Sequence, residues 1–420
     1  MIGNWTWIDW FGNLFGILFG LFYAYQFVYL FVALFIRKKK EHKPAKQHRF
    51  GVIIAARNEE AVLPNLLDSL EKQDYPRDKF GVCIVADNCT DNTAAVCRNL
   101  GATVFERFDT EKVGKGYALD WLFHRMEEEK IAFDAYVVFD ADNLLDPHFL
   151  TAMDQVLSDG YDAATSYRNS KNYGDNWVAA GNALWFLHDS QQLNLPRYIL
   201  GTNCTVAGTG FAFTRELLVE MGGWPYYTLT EDLQFSAELA IRGKRIGYSQ
   251  ESVLYDEQPT RFGQSWRQRM RWTQGYLQVL GKYGWQLLKG FFCGKFACFD
   301  ILACVTPAFA LSLAGLTVNV IYLVQTLLQG GTVLAGLRPT LTMVLEPLGI
   351  LFFLGAVTLI TEWKNIRATT GQKIGLYLLF PLFMFTYIPV AVNALFARRE
   401  WKPIAHERAL SVEDMEATKQ

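Results

Sequence analysis

The sequence predicts an α/β domain, a mostly parallel sheet with helices on both faces, joined to α-helical transmembrane segments. Three observations carry this reading. Short β-branched runs alternate with helical patterns from about residue 50 onward, and long charge-free runs lie near both ends. The apolar and aromatic fractions, 51% and 15%, exceed what one soluble core needs. At 420 residues there is room for a soluble domain plus membrane spans.

The first charge-free run, Trp10 to Ile36, ends in the basic cluster Arg37 to Lys40. A span needs roughly 20 apolar residues, so this run suffices with some tilt. A cleaved signal peptide would carry its positive charge before a shorter apolar run. Basic residues after the span instead put the following chain in the cytoplasm. Charge vanishes again from Ile301 to Leu337, Thr340 to Thr361 holds only Glu346, and Ile374 to Ala397 holds none, which reads as three further spans. Four crossings would leave the tail outside, whereas the basic Ala397 to Lys402 favours the inside. Either the run with Pro381 and Pro389 is re-entrant, or Ile301 to Leu337 holds two crossings.

A net charge of −2 excludes a general nucleic-acid binder. Seven cysteines with no CxxC pair read as reduced cytosolic residues, neither a disulfide framework nor a zinc site.

Within the middle of the chain, Val52 to Ile54 is a buried strand, followed by a polar turn and a helix with Val62, Leu66, Leu67 and Leu70 on one side. Val82 to Ala86 repeats the unit, with Thr90 or Asp91 available to cap the next helix. A strand at Thr103 to Phe105, a helix from Lys115 to about Glu128, and a strand at Ala135 to Phe139 follow. Ligands of such sheets bind at the carboxyl ends of the strands. Arg57 to Glu60, Asp87 to Asp91 and Asp140 to Asn143 all fall at that edge, and three acidic turns on one rim suit a metal and a phosphorylated ligand.

In "DADN", Asp140 and Asp142 flank one residue at a strand end, as hard oxygen donors suited to Mg²⁺ or Mn²⁺ beside a diphosphate. The plainer alternative is a helix cap near Pro147. "TED" at Thr230 to Asp232 opens a helical run, where Thr230 can cap and the acids favour the macrodipole. A carboxylate held there can equally serve as general base toward a hydroxyl. In "RQRMRW", Gln268 and Arg271 share a helix face beside Trp272, combining a bidentate grip on phosphate with an apolar plate for a sugar ring. The same helix also reads as a basic amphipathic interface helix, with Trp266, Met270, Leu277, Leu280, Leu287 and Leu288 toward lipid.

"AARNEE", "ADNCTDNT", "GKGYAL", "DADN", "GTGFAFTRE", "GGWPYYTLTED" and "QRMRW", in this order from about Arg49 to Gln278, resemble the membrane-bound family-2 glycosyltransferases that include cellulose, chitin and hyaluronan synthases. The resemblance implies a GT-A fold and inverting transfer from a UDP-sugar. It further implies that Ala56, Glu59 and Asp87 hold the uridine and that Lys115 lies near the diphosphate. Asp142, with Asp140 behind it, would bind Mg²⁺ or Mn²⁺. Asp232 would be the base, next to Glu231 on the substrate side. Gln268, Arg271 and Trp272 would take the diphosphate and the acceptor end, and Gly208 and Gly210 would line the acceptor side. One departure stands out: Asn88 follows Asp87, where many members carry a second aspartate or a serine.

The implied organisation is an N-terminal anchor with basic flank (1–40), a cytosolic GT-A catalytic domain (41–263), amphipathic interface helices (264–300), a C-terminal membrane region of about three spans (301–397) and a polar tail (398–420). The leading expectation is a plasma-membrane enzyme extending a β-linked polysaccharide processively, with export or assembly subunits as further partners. Transfer of a single sugar to a membrane lipid is the alternative, favoured by the small number of spans. A catalytically silent assembly subunit is a third reading, opposed by the intact Asp142, Asp232 and Arg271.

Overall fold

The computed structural model describes residues 7–37, 41–306 and 308–397. Lys38 to Lys40 of the basic flank and the tail beyond Ala397 lie outside the described residues. Two apolar helices, α1 (Trp7–Tyr23) and α2 (Tyr25–Phe35), come first. The α/β domain runs β1 (Phe50–Ala56), α3 (Leu63–Glu71), β2 (Phe80–Asp87), α4 (Thr93–Asn99), β3 (Thr103–Arg107), α5 (Lys115–Glu128), β4 (Ala135–Phe139), β5 (Leu144–Leu145), α6 (Phe149–Ser158), β6 (Ala163–Ser170) and α7 (Trp177–His188). A π-helical turn, Asp189–Asn194, leads into α8 (Leu195–Leu200), β7 (Phe211–Thr214), α9 (Arg215–Met221), α10 (Glu231–Arg242) and β8 (Ile246–Asp256).

The eight strands lie in the order β3-β2-β1-β4-β7-β6-β8-β5. The first four are mutually parallel, as expected, while β7 runs antiparallel to both of its neighbours and makes the far half of the sheet mixed. Both faces of β1 are buried. Phe50, Val52 and Ile54 pack with Leu63 and Leu66 of α3 and Met153 of α6, whereas Ile53 joins Leu119 and Leu122 of α5 and Leu184 of α7 on the other face. This two-sided burial explains the continuous apolar run of the strand. Because β1 lies between β2 and β4, the connections diverge there and open a crevice at its carboxyl end.

After β8 the chain turns helical: α11 (Phe262–Phe292), α12 (Phe296–Val305), α13 (Ala308–Leu328), α14 (Val333–Thr361), α15 (Thr370–Tyr377), α16 (Phe380–Phe385) and α17 (Tyr387–Phe396). Among the described residues, two helices are long and apolar enough to cross a membrane, Trp10–Phe35 and Val333–Thr361. Thr370–Tyr377 and Phe380–Phe396 form a pair bent by 42°, a broken span or a re-entrant loop, in the run that carries Pro381 and Pro389. The charge-free Ile301 to Leu337 run is divided between the end of α12, α13 and the start of α14. Leu287, expected toward lipid, is instead fully buried against Cys298 and Ile301 of α12, while Trp285, Phe291 and Phe292 are exposed apolar side chains of that stretch.

Several contacts tie the helices to the sheet domain. Gly275 of α11 sits so close to the start of α10 that a Cβ there would lie 2.4 Å from Thr230 Oγ1. One turn on, Gln278 Oε1 accepts the Leu229 N–H at 2.8 Å. Elsewhere, Arg197 of α8 meets Asp300 of α12 through two parallel bonds of 2.7 and 2.8 Å, and Asp300 also accepts the hydroxyls of Tyr25 and Tyr29 from α2. Asp300→Ala leaves the Arg197 guanidinium buried and unpaired, a loss of about 3–5 kcal/mol. Tyr29→Phe removes one hydrogen bond, about 1 kcal/mol. Thermal unfolding in detergent is expected to show a markedly lower midpoint for the first variant and a small change for the second.

Candidate active site

At the crevice, the turns after β1 and β2 are fastened to one another. The Glu59 N–H donates to Thr93 Oγ1 at 2.8 Å, and the Cys89 thiol reaches the Ala56 carbonyl at 3.5 Å. Asp87, at the end of β2, is 5% exposed. Its Oδ1 accepts from Arg107 Nη1 at 2.5 Å and Asn88 Nδ2 at 3.1 Å.

Lys115, the first residue of α5, is where the expected residues converge. Its Nζ donates to Asp140 Oδ1 at 2.5 Å and to the Gly208 carbonyl at 2.7 Å, and lies 4.0 Å from Glu231 Oε1. Asp232 Oδ2 is 3.8 Å from the position a Cβ on Gly208 would take. Gly208 has φ +79° and Gly210 φ +65°, and at Gly210 a Cβ would fall 1.9 Å from Leu254, so this turn requires glycine twice over. Thr230 occupies the cap position of α10, yet makes no side-chain cap bond, and its hydroxyl is buried without a hydrogen-bond partner among the described residues. The capping reading of "TED" therefore fails for its threonine.

Burial pushes the Glu231 carboxyl up to about 7, with Lys115 opposing and Asp232 adding to the rise. Asp232 is likewise raised by burial, against the pull of Lys115 and Arg168. Burial alone would discharge Lys115, but Asp140 and Glu231 outweigh it and hold the ammonium above the usual lysine range.

The two aspartates of "DADN" are placed differently from each other. Asp140 is partly open, with its side chain 37% exposed, whereas Asp142 is buried, accepts the Glu257 N–H on Oδ2 at 3.2 Å and receives Lys171 on its backbone carbonyl. Their exposures are the reverse of the expectation that Asp140 stands behind Asp142. Among the described residues no group of three or more His, Cys, Asp or Glu is arranged to hold a metal. The pair fits Mg²⁺ or Mn²⁺ as two hard donors, leaving the other positions to phosphate and water.

Gln268, Arg271 and Trp272 lie on α11. Gln268 and Arg271 share the stripe that Gly275 continues onto Thr230. Gln268 Oε1 and Arg271 Nε are buried without a hydrogen-bond partner among the described residues. Trp272 meets the Phe186 ring edge-on, with centroids 5.8 Å apart. The Arg168 guanidinium covers Phe186 at 3.7 Å, pairs with Asp256 and donates to the Ala207 carbonyl at 2.8 Å. Sequence reasoning missed Arg168, Asp256 and Asp189. Arg168 and Asp256 lie in strands paired late in the sheet, so only three-dimensional pairing brings them to the crevice. Asp189 opens the π-helical turn, and burial raises its carboxyl to about 6.

Comparison with known proteins bears on the family and the fold. The model of the glycosyltransferase-like family 2 matches residues 48–275, more than half of the chain. A β-monoglucosyldiacylglycerol synthase from Synechocystis is 27% identical over 56% of this chain and 49% of its own length. A poly-β-1,6-N-acetyl-D-glucosamine synthase from Staphylococcus epidermidis is 24% identical over 60% of each. The chain thus spans little more than half the length of the curated relatives it matches. A solved mannosyltransferase from Pyrobaculum calidifontis, in complex with GDP-Man and Mn²⁺, superimposes over 92% of this chain and 99% of its own, with a TM-score of 0.57 at 20% identity. The fold is thereby an α/β GT-A domain joined to apolar helices.

The raised carboxyls set a pH dependence. With Asp232 as base, activity is expected to be held at higher pH and lost as pH falls through a range raised above that of an ordinary carboxylate, while the neighbouring Glu231 takes up its proton at about 7. Glu231→Gln removes a neighbouring negative charge and is expected to move the acid limb to lower pH, read from the rate of nucleotide release across pH 5 to about 9.

Proposed function

This chain belongs to the family-2 glycosyltransferases, and from that premise we propose that it is a membrane-embedded inverting enzyme transferring a sugar from a UDP-sugar to an acceptor at the cytosolic face. The observation that carries the reading is the meeting of Asp140, Glu231 and Asp232 around Lys115 and the Gly208 carbonyl, at the crevice beside β1 and next to the Gln268–Arg271 stripe. Such a cluster gives one site a base, a cation and a donor-binding rim.

In this reading, Ala56, Glu59 and Asp87 hold the uridine. Asp232 takes the proton from the acceptor hydroxyl as its oxygen bonds to the anomeric carbon. On the opposite face the bond from that carbon to the diphosphate oxygen breaks, and UDP leaves with the electron pair. One displacement inverts the centre. Arg271, with Gln268 beside it, meets the charge developing on the departing diphosphate, and Lys115 keeps Asp140 and Glu231 compensated until substrate arrives. Trp272 offers its ring to the acceptor sugar, and the Gly208 to Gly210 turn admits the acceptor close to the backbone. Asp140 and Asp142 are the residues that would hold Mg²⁺ or Mn²⁺, which neutralises diphosphate charge when bound.

The proposed domain plan follows: anchor 1–40, catalytic domain 41–263, interface helices 264–300, membrane region 301–397 and tail 398–420, in the plasma membrane with the catalytic domain in the cytosol. For the acceptor, Gln268, Arg271 and Trp272 favour extension of a β-linked polysaccharide, with export or assembly subunits as further partners. Among the described residues, two long apolar helices, or three with the bent pair, are few for a self-sufficient polymer channel and favour transfer of one sugar to a membrane lipid as the second reading.

The test is UDP release by the purified protein in detergent, over a panel of UDP-sugars with Mg²⁺ or Mn²⁺ and added lipid extract. Release with one sugar is expected, falling by at least about 100-fold in Asp232→Asn, as loss of a general base does. Absence of release with every sugar would contradict the reading. Sizing the product then separates the acceptors, since a ladder marks the polymer and a single glycolipid band marks the lipid.

A further inference from the structure

The GT-A fold does not itself dictate a nucleobase, since the Pyrobaculum mannosyltransferase is solved with GDP-Man. The local chemistry at the end of β2 is more selective. Asp87 and Arg107 are partners across the parallel β2–β3 ladder, and both side chains are buried, at 6% and 4% exposure. Arg107 Nη1 donates to Asp87 Oδ1 at 2.5 Å, and Nη2 is itself fixed by Asp109 Oδ2 at 3.0 Å and the Lys112 carbonyl at 2.7 Å. Asn88 donates to the same Oδ1 at 3.1 Å. It also clasps the following loop from both sides, donating to the Asp109 carbonyl and accepting the Asp109 N–H, each at 2.9 Å. Two donors thus converge on one oxygen, and the 109–112 loop locks both. Among the described residues none hydrogen-bonds Oδ2.

We infer that Arg107 and Asn88 determine which base the donor carries, by saturating Asp87 Oδ1 and leaving Oδ2 as a single acceptor, which matches uracil and rejects guanine. The inference rests on the reading above that Asp87 holds the base. Guanine presents two adjacent donors, N1–H and the N2 amino group, which an unencumbered carboxylate takes together. Against Asp87 as held here, one of the two goes unpaired in a buried site, and an unpaired donor is what a polar pocket discriminates against most strongly. Uracil presents one donor, N3–H, between two carbonyls. The single bond to Oδ2 satisfies it, and a flanking carbonyl falls on the side where the guanidinium and the Asn88 amide offset carboxylate repulsion.

The experiment titrates the full-length protein in detergent, with Mn²⁺, with UDP and with GDP by calorimetry. Wild type is expected to bind UDP about 30-fold or more tightly than GDP, the scale set by one unpaired buried donor. Arg107→Met removes the shorter of the two bonds on Oδ1, leaving only the Asn88 amide there, and is expected to reduce that ratio by about tenfold. Should that variant fail to fold, Asn88→Gly serves in its place. Asn88 has φ +54°, which glycine adopts without strain, and loss of its amide is expected to reduce the ratio about threefold. Asp87→Asn separates the two levels of the argument. If it weakens UDP binding while the ratio is unchanged in both other variants, the selectivity inference is overturned and Asp87 keeps its role. If it binds UDP as wild type does, the assignment of the base to Asp87 falls, and this inference with it. GDP bound as tightly as UDP by wild type overturns the inference outright.

Discussion

A single ammonium, that of the half-buried Lys115, holds carboxylate chemistry together at the edge of the sheet. Removing a carboxylate from water costs several kcal/mol unless a partner compensates it, and Asp140 comes from the end of β4 whereas Glu231 and Asp232 come from the start of α10. Only a cation with several donors can serve them at once, and Lys115 spends one donor on Asp140 and one on the Gly208 carbonyl. The N-terminus of α5, the end of β4, the glycine turn before β7 and the start of α10 are therefore drawn within a few ångströms of one another. The raised carboxyls of Glu231 and Asp232 record the part of the cost that remains. A base with a raised pKa is also a stronger proton acceptor, which connects the packing of the crevice to the chemistry proposed for it.

The second constraint is the join between this crevice and the apolar helices. Thr230 immediately precedes the two acids of α10, and the missing side chain of Gly275 lets α11 lie directly on it. The stripe bearing Gln268 and Arg271 is thus indexed to Asp232 by a contact with no room for a methyl group. Arg168 performs a comparable task across the crevice, joining Asp256 to the ring that Trp272 touches. On the far side, Arg197, Asp300, Tyr25 and Tyr29 bind α2, α8 and α12 into one polar knot, so the orientation of the catalytic domain against the first apolar helix is set by charge and hydrogen bonding as well as by packing.

Much of this was legible in the sequence, for identifiable reasons. Buried parallel strands write uniform β-branched runs, and α5 and β4 fall at Lys115–Glu128 and Ala135–Phe139 as their patterns indicated. Polar residues at strand ends stand out against those runs, which is why Asp87 and Asp140 were visible, while Asp232 stood out at the start of a helical run. Less was legible where partners are distant in sequence. The antiparallel insertion of β7 leaves no local signature, since its four residues, Phe211–Thr214, resemble any short apolar strand. Arg168 reads as an ordinary strand residue until β8 brings Asp256 beside it. The burial of Asp142 relative to Asp140 depends on Glu257, more than a hundred residues away. Leu287 has the spacing of a lipid-facing residue and is buried only because α12 folds back on α11.

The central claim is one displacement at the anomeric carbon with Asp232 as base, and the stereochemistry of the new bond tests it most directly. With an α-linked UDP-sugar as donor, proton NMR of the isolated first product, before any later anomerisation, reports the configuration of the glycosidic linkage. The account predicts a β-linkage. An α-linkage would contradict it, because retention requires a second displacement or a front-face path, and one displacement with Asp232 as base supplies neither.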